Sequence, residues 1–272
     1  MIKSLIPFGK GALFLAGALF LSAPSLHALD VPSTMQTSDV VLLGEVHDNR
    51  RHHEVQAALL TELQPKAVVW EMLTAEQAQI LTPELLGDTQ ALENALEWAQ
   101  SGWPDFGLYA PVFAAAPQAL HFGGQVPRSE SRRVMEDGIV AVFGEGAGQF
   151  GLDQPLANVE QAQREQEQFT NHCEAIPVEM LPMMVDFQRL RDANLARAVI
   201  QALAETGGPV AVITGNGHAR RDRGIPVYLL KADPELTLFA LGQSEDGVSS
   251  GVFDMVLDAP AAEREDPCLA FK

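Results

Sequence analysis

Short unbroken apolar runs alternate along this chain with longer segments in which apolar residues recur every three or four positions. The runs at 39–44 (DVVLLG), 67–70 (AVVW), 119–122 (ALHF) and 209–214 (PVAVIT) predict buried strands. The segments at about 50–63, 89–101 and 129–143 predict helices between them. Strand and helix in alternation predict an α/β fold, a mostly parallel central sheet flanked by helices. Three further runs, 227–230 (VYLL), 237–241 (TLFAL) and 253–257 (FDMVL), lie closer together, so antiparallel C-terminal strands are expected. The stretch from about 152 to 206 carries no strand pattern. It reads as an inserted helical cap: a Gln- and Glu-rich helix at 158–170, then a long helical run at 178–205. Pro182 forces a kink or a late start in that run, and Gly207, Gly208 and Pro209 end it. The glycine-rich 144–151 (GEGAGQFG) reads as a flexible hinge into the cap.

Residues 1–28 do not belong to this pattern. Lys3 and Lys10 precede an apolar core at 11–22 of about a dozen residues, and 24–28 (PSLHA) ends in a small residue. This is the form of a secretory signal, too short to span a bilayer comfortably, with cleavage expected near Ala28. The mature part, 29–272, is then one domain, periplasmic or secreted, with no stable membrane span. No cysteine lies near Ala28, so no lipid anchor is expected there. Cys173 and Cys268 are the two cysteines, and in an oxidising compartment a disulfide between them is expected. The chain carries 36 acidic against 18 basic residues, a net of −18. Loss of Lys3 and Lys10, two positive charges with no acid beside them, leaves −20. Such a surface repels nucleic acid and anionic lipid.

The chemistry concentrates after the strands. Leu43 is followed by Gly44-Glu45-Val46-His47-Asp48-Asn49-Arg50-Arg51-His52-His53, Val69 by Trp70-Glu71, and Thr214 by Gly215-Asn216-Gly217-His218. In a parallel sheet these strand ends share one edge, where open α/β sheets bind ligands. Glu45, His47, Glu71 and His218 should therefore converge. His52 and His53 open a helix and point to different faces, so one of them should face the pocket. Arg220, Arg221 and Arg223 make a local basic knot that suits an anionic ligand group or salt bridges to nearby acids. Gln188, Arg191 and Asp192 lie at turn spacing on the long helix, but Arg191 and Asp192 are adjacent, so at most one should point straight at the sheet.

Five stretches, LLGEVHDNRRHHEVQ (42–56), VVWEM (68–72), WPDFGLYAPVFAAA (103–116), DFQRLRDANLA (186–196) and GNGHARRDRGIPVYL (215–229), resemble the ChaN-like haem-binding uptake family of the wider Tiki, TraB and erythromycin-esterase-like superfamily. The resemblance implies an α/β core with a helical region, a periplasm-facing location and haem binding for iron acquisition, with two copies of the chain as an expected homodimer. It implies a cofactor site drawn from Glu45, His47, His53, Tyr109, Arg191, Asn216, His218, Arg220 and Arg221. A His or Tyr109 would ligate iron, and the arginines would meet the propionates. The superfamily also implies hydrolysis as the alternative. In one version a divalent metal sits on His47, His218 and Glu45, with Glu71 as general base; in the other a His acts as base and a Glu orients it.

Overall fold

The computed structural model describes Met1 and residues 31–271; the expected signal segment lies outside the described residues. The described residues from 31 onward form one compact unit. The elements that position the site are β1 (Val40–Glu45), α1 (Arg50–Leu63), β2 (Ala67–Trp70), α2 (Phe106–Ala114), β3 (Leu120–Gly123), α3 (Asn158–Asn171), α4 (Leu181–Thr206), β4 (Val210–Gly215), α5 (Ile225–Ala232), β5 (Leu238–Glu245) and β6 (Met255–Ala259). The six strands form one sheet in the order β3-β2-β4-β1-β5-β6, every neighbouring pair parallel.

The sequence explains the centre of this sheet. β1, β2 and β4 are buried along their whole length, on both faces, which is why they read as unbroken apolar runs. β4 enters between β2 and β1, and its next connection leads to β5 on the far side of β1, whereas the connection from β1 leads to β2. Adjacent β1 and β4 thus send the chain in opposite directions, and a crevice opens where their ends meet, at the paired Glu45 and Gly215.

α1 starts where expected because the Asn49 side chain accepts the Arg51 N–H at 3.0 Å. α4 begins with Pro182 in its first turn, where a missing N–H costs nothing, and ends at Gly207 with φ 71°. Leu190, Leu195 and Val199 of α4 are all at least 98 % buried against the sheet, each contributing about 1.5–3 kcal/mol.

Five expectations are corrected. The C-terminal strands are parallel, not antiparallel: residues 246–254 return the length of the sheet, with Phe253 seated where a Gly242 side chain would be. The run at 227–230 is helical, within α5, because Pro226 suits a first helical turn and a short apolar run does not itself distinguish strand from helix. The helix expected at 89–101 is broken by Glu97 at φ 50°, and the one at 129–143 by Gly138 at φ 82°. The glycine-rich 144–151 is a set of compact turns that carries Ala147 and Phe150 into the core, not an exposed hinge.

β3 packs so closely on the 74–79 turn that a Cβ at Gly123 would lie 2.0 Å from the Thr74 carbonyl oxygen. Gly123→Ala is expected to destabilise the fold by about 1–3 kcal/mol, read as a lower urea midpoint at unchanged slope.

Candidate functional site

Glu45, the last residue of β1, has no exposed side-chain surface. Three groups occupy its carboxylate: His47 Nδ1 at 2.7 Å, the Tyr109 hydroxyl, which donates to Oε1 at 3.0 Å, and His53 Nδ1 at 3.4 Å from Oε2. His53 Nε2 meets the His47 carbonyl at 2.9 Å, and its ring packs edge-on to Tyr109. His47 is thereby held from both ends of its residue, and its imidazole is the part left one-third exposed.

Glu71, one residue beyond β2, is the second buried carboxylate. Its Oε2 accepts from Thr214 Oγ1 at 2.7 Å and from the Gly215 N–H at 2.8 Å, which fixes it to the end of β4. Its Oε1 faces Arg191 Nη2 at 2.5 Å, His218 Nε2 at 3.4 Å and His47 Nε2 at 4.0 Å. The other face of His218 is taken by Asp192, 2.6 Å from Nδ1. Gly215 is small of necessity here: a Cβ would lie 2.9 Å from His47 Nε2. Two histidines 171 positions apart in sequence therefore share one carboxylate oxygen.

The charges follow from these contacts. Burial works against a protonated His47, but its hydrogen bond with Glu45 and the charges of Glu71 and Glu45 outweigh that and lift it to about 9. Burial likewise opposes ionisation of Glu71, but His218, His47 and Arg191 hold it well below the ordinary carboxylate range. Burial pushes Asp192 upward, only partly offset by its contact with His218. The His47 shift sets a sign. A group bound more tightly to its proton when folded stabilises fully below about 6.5, its ordinary value, and loses that contribution as pH rises to about 9. Wild-type stability is expected to fall by about 1–2 kcal/mol over this interval, allowing for solvent screening of a one-third exposed ring. His47→Gln should abolish that fall in urea titrations at pH 6 and 9.5.

Two cavities flank the ridge formed by Val46, His47 and Arg191. A polar cavity of about 680 Å³ lies under α3 and reaches Glu45, Glu71, Gln188, Asp192, Asn216, His218 and Arg220. An aromatic-walled cavity of about 980 Å³ is bounded by Trp103, Pro104, Val126, Pro127 and Phe187, with Arg128, Arg191 and Arg264 at its polar parts.

Of the residues singled out in the sequence, Glu45, His47, Glu71, Arg191 and His218 do converge. Tyr109 and His53 are buried behind His47 and line neither cavity; they support the site rather than face a ligand. Asn216 lines the polar cavity, but its amide clamps the Gln243 backbone at 2.7 and 3.0 Å. Arg220 also lines that cavity and is paired with Asp222, whereas Arg221 turns away to Asp254 and the Leu238 carbonyl. Arg191 and Asp192 both reach the site, contrary to expectation, because the long arginine bends round to Glu71 while the shorter aspartate points inward. The metal set of His47, His218 and Glu45 is not assembled: Glu45 lies behind Nδ1 of His47, away from His218. Among the described residues no three His, Cys, Asp or Glu side chains converge to hold a metal ion. Thr214, Trp103, Phe187 and Arg128 are site residues that the sequence reading does not single out; Trp103 and Phe187 lie inside matching stretches, which is the signal that points to them, and Asp192 is noted there only for its turn spacing.

The parallel α/β sheet carries its Glu–His site at the carboxyl edge, and the family profile places the molecule in the Tiki superfamily. More narrowly, the chain belongs to the haem-binding uptake family, ChaN, whose profile matches residues 31–229. Among solved structures it is similar to ChaN of Campylobacter jejuni, which binds haem cofacially: 20% identity over 81% of this chain and 87% of that one, TM-score 0.62. That likeness supports the fold. The type III effector HopBA1 is a more distant match, 13% identical over 84% of this chain and 90% of that one, TM-score 0.45. No curated protein matches the sequence.

Proposed function

We propose that this chain binds haem for iron acquisition outside the cytoplasm and holds the macrocycle in the aromatic-walled cavity. The observation that carries this reading is the pairing of an apolar wall with unsatisfied polar chemistry. Trp103 and Phe187 offer ring faces, and the buried Trp103 Nε1–H has no acceptor, a donor suited to a carboxylate. Arg128 supplies a cation beside it for the propionates, whereas Arg264 on the same wall is paired with Asp48 and Glu245. Cavities of several hundred to about 1,000 Å³, mostly apolar with a few placed polar groups, are the usual form of cofactor sites. Haem would supply the iron and the porphyrin face; the chain supplies the slot, the cation and the ligand.

Of the side chains that line this cavity, His47 is the one suited to ligate iron. When its ring loses a proton, the Glu45 contact keeps the remaining one on Nδ1 and leaves Nε2 basic, as carboxylate–histidine pairs do at metal sites. That nitrogen stands on the ridge between the two cavities, where it also faces Glu71 at 4.0 Å. The Cys173–Cys268 disulfide, with Cα atoms 5.5 Å apart, supports an oxidising compartment. No helix among the described residues is long and apolar enough to cross a membrane. A hemin titration of the chain tests the reading: a saturable, shifted Soret band is expected, and its absence removes the proposal. Sedimentation with and without hemin reads whether two copies pair.

One observation favours a second reading. In the polar cavity Asp192 holds His218 at Nδ1 while Nε2 faces the ionised Glu71. An imidazole oriented by a carboxylate is equipped for acid–base work on water. A hydrolase of this kind would turn over small esters or amides and lose activity in His218→Ala; no turnover across a substrate panel would remove it.

A further inference from the structure

Beyond β6, residues 260–268 run as a mostly exposed strap; residues 260–262 are hydrogen-bonded to Asn49, Asp246 and Glu245, and beyond them the strap is fastened at two points. The first is ionic. Arg264 Nε and Nη2 donate to the Asp48 carboxylate at 2.8 Å, and Nη1 and Nη2 donate to Glu245 at 2.7 Å. The second is covalent, the bond from Cys268 to Cys173. Between residues 265 and 269, no hydrogen bond or ion pair joins the strap to the rest of the described chain; the disulfide alone does so.

The two fastenings belong to different cavities. Arg264 and Asp48 line the aromatic-walled one. Cys173 follows closely on Asn171, the end of α3, which lines the polar one. Arg264 and Cys268 are four residues apart, a reach of at most about 14 Å. One short strap therefore ties the walls of both cavities together.

α3 is a wall that lies along α4 with little of itself buried. Arg164 is its one buried residue, and its links to neighbouring elements include Glu167 to Arg223 at 2.6 Å and to Arg220 at 3.7 Å. Elements with few buried apolar contacts open at low cost. The turn after α3 is also strained: Cys173 and Glu174 both hold φ 58°, a left-handed conformation that side chains resist. Both cysteines are half-buried rather than enclosed in the core.

We propose that Cys173–Cys268 is a redox latch: with the disulfide formed, the strap and α3 close the two cavities around a bound ligand, and its reduction by a dithiol frees both and speeds ligand exchange. The ligand is haem on the reading above, so the retention half of the proposal rests on that reading. In the reaction a thiolate of the dithiol attacks one cystine sulfur and displaces the other as a thiolate, which takes up a proton. The second thiol of the reductant then resolves the mixed disulfide. Two electrons pass to the cystine, leaving two cysteine thiols and the oxidised reductant.

The test is hydrogen exchange on the full chain, oxidised and after dithiothreitol, with hemin release to apomyoglobin measured in parallel. Cys173→Ser with Cys268→Ser serves as a reductant-free mimic, since dithiothreitol also acts on hemin iron. Reduction should speed amide exchange in α3 and in residues 260–268 at least 10-fold, leave β1 and β4 unchanged, and speed hemin release at least 10-fold. The double variant should reproduce both effects. Unchanged exchange in α3 overturns the latch, as does equal hemin release from the two forms. Exchange across the whole sheet also overturns it, because the bond is then a staple of the fold. If the oxidised chain takes up no hemin, the haem reading fails, and exchange in α3 still decides whether the latch moves.

Discussion

Glu71→Ala is expected to lower stability by about 3–5 kcal/mol, the cost of removing one partner from a buried charge cluster. The carboxylate is 98 % buried and receives the Thr214 hydroxyl and the Gly215 N–H on one oxygen, with Arg191 and two imidazoles on the other. Its removal leaves the Gly215 N–H without its carboxylate acceptor and takes the counter-charge from Arg191. Glu71→Gln should cost less, because an amide oxygen can still accept from Thr214 and Gly215. The wild type should also lose stability in acid: a carboxyl held below its ordinary 4.5 contributes fully above that value, and the contribution disappears as pH falls further. In Glu71→Gln this acid loss should shrink. Urea midpoints at pH 7 and pH 3.5 for the three proteins check both statements; equal midpoints at pH 7 would contradict the role assigned to this residue.

Much of this cluster was legible in the sequence because strand ends in a parallel sheet must share an edge. Glu45, Glu71 and His218 follow apolar runs too buried to be misread, so their convergence needed only the parallel direction of β1, β2 and β4. What stayed hidden depends on side-chain length and on layers behind the first. Tyr109 and His53 sit in matching stretches, but nothing in the residue pattern says that both turn inward onto Glu45 rather than outward to a ligand. Asp192 was paired in sequence with Arg191, and helix geometry alone separates neighbours that a long side chain reunites. The course of residues 246–254 was hidden for a different reason. Close spacing of two apolar runs ordinarily means a hairpin, and the extended return beside Gly242 is a property of that one glycine.

His47→Ala is expected to weaken hemin binding at least 100-fold and to remove the shifted Soret band. This side chain lines both cavities, and it keeps a third of its surface open while Glu45 fixes the tautomer. Because the proton on Nε2 must leave before the nitrogen binds iron, and His47 holds its proton up to about 9, affinity should increase with pH between about 6.5 and 9. Trp103→Ala should cost about 10–100-fold, the loss of one aromatic wall and of its unpaired N–H, while leaving the pH trend intact. A Soret band that persists in His47→Ala at all pH values would assign the iron to another residue.

A crystal structure of the chain with hemin bound would show where the macrocycle sits. A porphyrin is expected against Trp103 and Phe187, with its carboxylates towards Arg128. A porphyrin found under α3, with the aromatic-walled cavity empty, would overturn that placement.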